Sequence, residues 1–291
     1  MSSSHGSPTR SETRTRTGVR RHPLAVRTVA VITFLVAVLG LTVAPDAMAA
    51  PKPTIVLVHG AFTDASGWRD VKADLSGQGY AVQTFDNPLR GPAYDAAALQ
   101  KKLGTIRGPI VLVGHSYGGS VITDVHDRDV VANVYIAAFA PAQGEFALGL
   151  LDPIRYPGSR LLPPALQVKP VVDPSGPGGR NLDGYIAQPY FRDIFAQDLS
   201  PAKAAQLYSH QKSVALAANL EPSGPPSWRT VPSWYLVSRQ DRVIPPALQR
   251  FLAKRAAPGR TSEVNAAHAS PVSQPGAVAA VIEKAARATQ R

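Results

Sequence analysis

Pro109-Ile110-Val111-Leu112-Val113-Gly114-His115-Ser116-Tyr117-Gly118-Gly119 is the stretch that decides the fold of this 291-residue chain. Residues 109–113 are wholly apolar, the composition of a strand buried on both faces of a parallel sheet. A serine then arrives in a G-x-S-x-G turn, and residues 120–125 can continue as a helix. A strand that turns so sharply into a helix holds its serine in a strained conformation, with the hydroxyl projecting from the sheet edge. Gly114 and Gly118 suit that turn, because a side chain at either position would collide with neighbouring backbone. The pentapeptide alone is a weak signal, whereas strand, turn and helix in this order are a strong one.

Outward from this point the chain alternates. Ile55-Val56-Leu57-Val58 is a second fully apolar strand and ends at His59-Gly60, and residues 67–78 carry Trp68, Val71 and Leu75 at helical spacing. Residues 81–85, 130–139, 233–237 and 261–265 read as further strands, and residues 93–103, 245–256 and 276–288 as helices. The helix at 245 opens on two prolines, which suit a first turn. Strands alternating with helices predict an α/β fold, with a mostly parallel central sheet and helices on both faces. Between residues 144 and 228 the pattern breaks: twelve prolines fall there, and only residues 185–195 and 201–216 read as helices. Tyr185, Tyr190, Phe191, Phe195 and Leu207 are too apolar for a solvated linker, so this insertion is expected to be a cap over the sheet edge.

The N-terminus follows other rules. Residues 1–27 carry six arginines against one acid, residues 28–44 are uncharged and mostly apolar, and Ala47-Met48-Ala49 has the small-x-small pattern of a signal-peptidase site. Residues 1–49 are expected to be a secretory signal, cleaved after Ala49, with residues 50–291 the mature domain. Arg20-Arg21 ahead of a modest apolar run resembles a twin-arginine signal, although His22-Pro23 is not its usual sequel. An uncleaved anchor is the alternative, against which stand the short run of 17 residues and the cleavage site. The expected location is secreted or extracytoplasmic, with no stable membrane association after cleavage. The chain has no cysteine, so an exported protein would depend on its core rather than on disulfides. Of the formal charge of +11, the leader supplies +4 and the mature part +7. No Lys/Arg cluster is interleaved with aromatics, so the charge reads as a solvated basic surface and not a nucleic-acid footprint. There is no metal-ligand spacing, no glycine-rich phosphate loop and no segment that sets an oligomeric state.

A serine hydroxyl is a poor nucleophile unless a base takes its proton, and the base needs an orienting acid. Asp241 follows the strand at 233–237 and His268 follows the strand at 261–265, so both sit at strand carboxyl ends, on the same edge as Ser116. The candidate catalytic set is Ser116 as nucleophile, His268 as base and Asp241 as the orienting acid. Asp241 also stands where an aspartate caps a following helix, and His268, among alanines, where a histidine could simply be packed. His115 is expected to point away from the nucleophile, and Asp124 and Asp127 to face solvent. Two backbone N–H groups should form an oxyanion hole: that of Tyr117, and that of Ala61 with Phe62 as the alternative.

Val56-Leu57-Val58-His59-Gly60-Ala61, Trp68, Gly114-His115-Ser116-Tyr117-Gly118-Gly119, Ala138-Phe139-Ala140-Pro141, Asp241 with Ile244-Pro245, and His268 together resemble one branch of the α/β-hydrolases. That branch holds bacterial carboxylesterases, plant methyl esterases of the salicylate-binding type and hydroxynitrile lyases. The resemblance spans about residues 51–288 and implies a cofactor-free enzyme acting on a small-molecule ester in an apolar pocket under the cap. The lyases carry threonine where Gly60 stands and lysine where Ala269 stands, and these departures favour ester hydrolysis. A ligand receptor on the same fold, or another reaction of the same triad (lyase, perhydrolase, amidase), are the alternatives. Phe62, Phe139, Tyr190 and Phe195 are the expected pocket residues, suited to an uncharged acyl or alcohol group.

Overall fold

A computed structural model describes residues 51–290; the leader expected at 1–49 lies outside them. In chain order the elements are β1 (Thr54–Val58), α1 (Arg69–Gly77), β2 (Val82–Phe85), α2 (Pro92–Leu103), β3 (Ile110–His115), α3 (Gly118–Thr123) and β4 (Val130–Ile136). The insertion then contributes α4 (Ala147–Leu150), β5 (Leu166–Val172), β6 (Arg180–Ile186), α5 (Gln188–Phe195), α6 (Pro201–Ser209) and β7 (Val214–Ala215). The chain closes with β8 (Ser233–Ser238), α7 (Pro246–Ala256), β9 (Thr261–Val264), α8 (Ser270–Ser273) and α9 (Pro275–Ala288).

Six strands form one parallel sheet in the order β2-β1-β3-β4-β8-β9. The apolar runs are buried on both faces, and the strand period of two sends alternate residues to different layers. Val56, Val58 and Leu112 pack with α2, α3 and α7, through residues such as Leu99, Ile122 and Leu252. Ile55, Leu57, Val111 and Val113 pack against the opposite layer, where Trp68, Val71, Leu75 and Ile282 close the core around α1 and α9. The expected parallel central sheet with helices on both faces therefore holds.

Two differences have identifiable causes. The strand expected at 130–139 stops at Ile136, because Ala137 takes a positive φ of 43° and the chain turns around Ser116, where the Phe139 N–H donates to the Ser116 carbonyl at 3.1 Å. In the insertion, Tyr185 and Ile186 belong to β6 and not to a helix, and the second expected helix ends at Ser209. Pro189 in the first turn fixes the start of α5 at Gln188. After α6 the chain returns as β7 to complete a three-stranded antiparallel sheet, β5-β6-β7. Pro170 is tolerated in β5 because that strand is an edge.

Candidate active site

Ser116 sits between β3 and α3 with φ of 55°, a left-handed conformation that costs a non-glycine residue on the order of 1–3 kcal/mol. The surroundings enforce it. A Cβ at Gly114 would lie 2.6 Å from the Gly118 carbonyl oxygen, and one at Gly118 would lie 2.7 Å from that of Val58. The Ser116 N–H donates to the Ile136 carbonyl at 3.2 Å, and the Ser116 carbonyl accepts from Gly119 and Phe139.

The structure brings the three sequence-predicted side chains together. Ser116 Oγ lies 2.8 Å from His268 Nε2, and His268 Nδ1 lies 2.6 Å from Asp241 Oδ2. All three are buried, with His268 at 0% exposure. Asp241 Oδ1 also accepts from the N–H groups of Val243 and Ile244, at 2.7 and 2.9 Å, and Oδ2 accepts from Gln249 Nε2 at 2.7 Å. Four donors converge on the carboxylate, so the His268 Nδ1 carries its proton toward Asp241 and Nε2 is left to accept from the serine hydroxyl. Asp241 thus makes the bonds of a local turn cap and of an acid partner at once.

Several supports were not evident from the sequence. Gln249, on α7 and fully buried, donates to Asp241 and to the Ile244 carbonyl and accepts from the Ser238 N–H. The segment around His268 is held at three consecutive residues. The Ala267 N–H donates to Asp198 Oδ2 at 2.9 Å, the His268 carbonyl accepts from His115 Nε2 at 3.0 Å, and the Ala269 N–H donates to the Phe195 carbonyl at 2.9 Å. Burial, reinforced by the neighbouring His268, pushes the His115 imidazole well below its ordinary range, so it stands neutral with Nε2 as donor. His115 Nε2 is thus engaged by the His268 carbonyl, and the Ser116 hydroxyl by His268. Asp124 does not face solvent as the sequence suggested: it accepts from Ser223 Oγ and the Gly224 N–H and so fastens the returning end of the insertion.

The Phe62 N–H donates to the Lys212 carbonyl at 3.0 Å. Among the described residues nothing accepts from the N–H of Ala61 or Tyr117. Of the two donors considered after β1, Ala61 is thus the one left available beside Ser116. A Cβ at Gly60 would stand 2.6 Å from that of Ser116, so the glycine is a condition of the close approach.

Ser116 opens into a small cavity of about 60 Å³, lined by Phe62, Tyr117 and Phe139 from the core and by Leu148, Leu151 and Leu161 from the insertion. Phe62 and Phe139 lie where the sequence placed them. Tyr190 and Phe195 do not. Tyr190 is 40% exposed on the outer side of α5. Phe195 is buried instead against the His268 ring, at 4.9 Å between centroids, and against His115. The helical period explains both: Phe191, Ile194 and Phe195 share the inward face of α5, and Tyr190 falls off it.

Known proteins share this architecture. A pyrethroid hydrolase from Sphingobium faniae JZ-2 has 23% sequence identity and a TM-score of 0.66, over 81% of this chain and 98% of its own. Polyneuridine aldehyde esterase superposes with a TM-score of 0.68 at 18% identity, over 80% of this chain and 99% of its own. At these identities the likeness establishes the fold. A carbendazim hydrolyzing esterase of Nocardioides sp. (strain SG-4G) is 35% identical over 111 residues, 33% of this chain, and the match spans 46% of that esterase, somewhat under half its length. The model of the alpha/beta hydrolase family matches residues 55–281, from β1 into α9. With the sheet order, the turn at Ser116 and that match in agreement, the chain belongs to the alpha/beta hydrolase family.

Proposed function

We propose that this protein is an exported serine carboxylesterase acting on small neutral esters through an acyl-enzyme on Ser116. The observation that carries the reading is the chain from Asp241 through His268 to Ser116 Oγ, at 2.6 and 2.8 Å, opening into an apolar cavity beside two N–H groups without acceptors. In this reading Ser116 Oγ attacks the ester carbonyl carbon while its proton passes to His268 Nε2, and the carbonyl oxygen becomes an oxyanion held by the N–H groups of Ala61 and Tyr117. The bond to the alkoxy oxygen then breaks, His268 returns the proton to that oxygen, and the alcohol leaves. A water attacks the acyl-enzyme, giving a proton to His268 that passes back to Ser116 Oγ as the acid departs. Asp241 keeps the imidazole oriented and stabilises its charged form without taking the proton.

The lining supports a neutral substrate. No Lys or Arg is among the residues that line the cavity, and cations of the insertion are engaged elsewhere: Arg160 pairs with Asp193, and Lys212 with Asp86. An anionic acyl group would lose hydration there without gaining a partner. The clash at Gly60 supports hydrolysis over the lyase alternative, because the threonine of those enzymes has no room on this backbone. The carbendazim hydrolyzing esterase and the pyrethroid hydrolase are similar proteins whose names denote hydrolysis, which supports the same reading. A panel of nitrophenyl esters of increasing chain length, with carboxylate-bearing counterparts, tests it. Short to medium neutral esters should have kcat/KM values at least about tenfold above those of the anionic ones. A tenfold preference in the opposite direction contradicts the substrate class.

A further inference from the structure

The side chain of Tyr117 has no part in the chemistry above, which uses only its backbone N–H. Yet its hydroxyl donates to Asp95 Oδ2 at 2.8 Å, and both residues are buried, at 1% and 0% exposure. Asp95 stands in the first turn of α2, and its carboxylate also accepts from the Arg90 N–H at 3.1 and 3.3 Å. The segment carrying Arg90 is itself fixed, because the Arg90 guanidinium pairs with Asp173 at 2.9 Å and with Asp183 at 2.7 Å. A carboxylate placed so deep is costly, and burial pushes Asp95 up to about 6. An apolar contact would fill the same space at less cost, so the bond to Tyr117 calls for a role.

The peptide unit between Ser116 and Tyr117 supplies one. That unit carries the Tyr117 N–H, which finds no acceptor among the described residues, and it follows a serine held in a strained φ of 55°. Rotating this peptide, about Ser116 ψ and Tyr117 φ, would turn the N–H away and leave the Ser116 φ as it is. Gly119 and Phe139 hold its oxygen edge, at 3.0 and 3.1 Å. Beyond the nitrogen edge, Tyr117 is tied by its carbonyl, which accepts from the N–H groups of Ser120 and Val121 at 2.9 and 3.4 Å, and by its side chain, locked at its far end to Asp95. We propose that Asp95 and Tyr117 form a positioning pair that fixes the Tyr117 N–H as an oxyanion donor. The proposal rests on the reading of Ser116 as nucleophile.

Wild-type protein is first titrated with a fluorophosphonate, which labels an activated serine. Tyr117→Phe, Asp95→Ala, the double variant and Asp95→Asn are then compared for kcat, KM and affinity for a trifluoromethyl ketone, whose adduct with the serine places an oxyanion in the hole. Tyr117→Phe and Asp95→Ala should each lower kcat about tenfold with KM within about twofold, and weaken the ketone by the same factor. The double variant should be no worse than either single one, because both break one bond. Asp95→Asn, whose amide oxygen still accepts from the Tyr117 hydroxyl, should stay within about threefold of wild type. A merely structural pair would lower thermal stability and leave kcat and ketone affinity of the folded protein unchanged. Unchanged values in Tyr117→Phe, or losses that multiply in the double variant, overturn the proposal. Should Asp95→Ala fail to fold, Tyr117→Phe decides alone. If the wild type is not labelled on Ser116, the esterase reading falls and takes the proposal with it; labelling with unaffected variants removes the proposal only.

Discussion

Ser116 is held where three requirements meet: a positive φ, a buried hydroxyl in reach of His268, and room for the turn at Gly114, Gly118 and Gly60. Its neighbours carry costs of their own, and Asp95 gives the most direct handle on one. Burial raises its pKa from 3.8 to about 6, so between these values the folded protein binds more protons than the unfolded chain. Stability contributed by that proton is full below about 4 and is lost as pH rises to about 6, a swing on the order of 3 kcal/mol. Asp95→Asn lacks the titration. Its melting temperature relative to wild type should therefore rise between pH 4 and 7, and thermal melts across that range check it; a constant difference would contradict the assignment. Ser116, Asp241 and His268 were legible in the sequence because each follows a recognisable strand, and strand ends on one edge converge. Gln249, Asp198 and Asp95 were not. A glutamine on a helix reads as wet surface until its partner is known, and the Ala267 N–H that Asp198 meets is 69 residues away.

Among the elements, legibility followed the source of the hydrogen bonds and the burial. Strands β1 and β3 announce themselves because both faces are covered, which demands unbroken apolar runs. Helices α2 and α7 carry prolines in the first turn, where their missing N–H costs nothing. The antiparallel sheet of the insertion gave no such signal. Strand β5 is largely exposed and interrupted by Pro170, and β7 has two residues. Gln211 completes the arrangement with a side chain, accepting from the Ile186 N–H at 2.8 Å and donating to its carbonyl at 3.0 Å. Pairing supplied by distant backbone and one amide side chain leaves no local period to read. Helix α5 was recognised, but the inward face was read as containing Tyr190, where the 100° step of a helix selects Phe191, Ile194 and Phe195. The consequence reaches the site, since Phe195 backs the His268 ring and the insertion lines the cavity with leucines such as Leu148, Leu151 and Leu161.

For the whole molecule, two apolar layers around one sheet supply the core, and no cysteine is present to supplement it. Among the described residues no helix is long and apolar enough to cross a membrane. We propose that the segment 1–49 directs export by the twin-arginine route, on the pattern of Arg20-Arg21, the apolar run and Ala47-Met48-Ala49. Replacing Arg20 and Arg21 by lysine should abolish export in a fractionation assay, with the mature wild-type chain beginning near Ala50. Continued export of the variant would point to the general secretory route, and an intact N-terminus outside the cell to an anchor. The central claim is the covalent one, and intact-protein mass spectrometry during turnover of a nitrophenyl ester tests it most directly. One acyl group is expected, localised by peptide mapping to Ser116, and in Ser116→Ala no adduct, with turnover down by as much as about a millionfold. An adduct on another residue, or Ser116→Ala hydrolysing the ester within about tenfold of wild type, would contradict it.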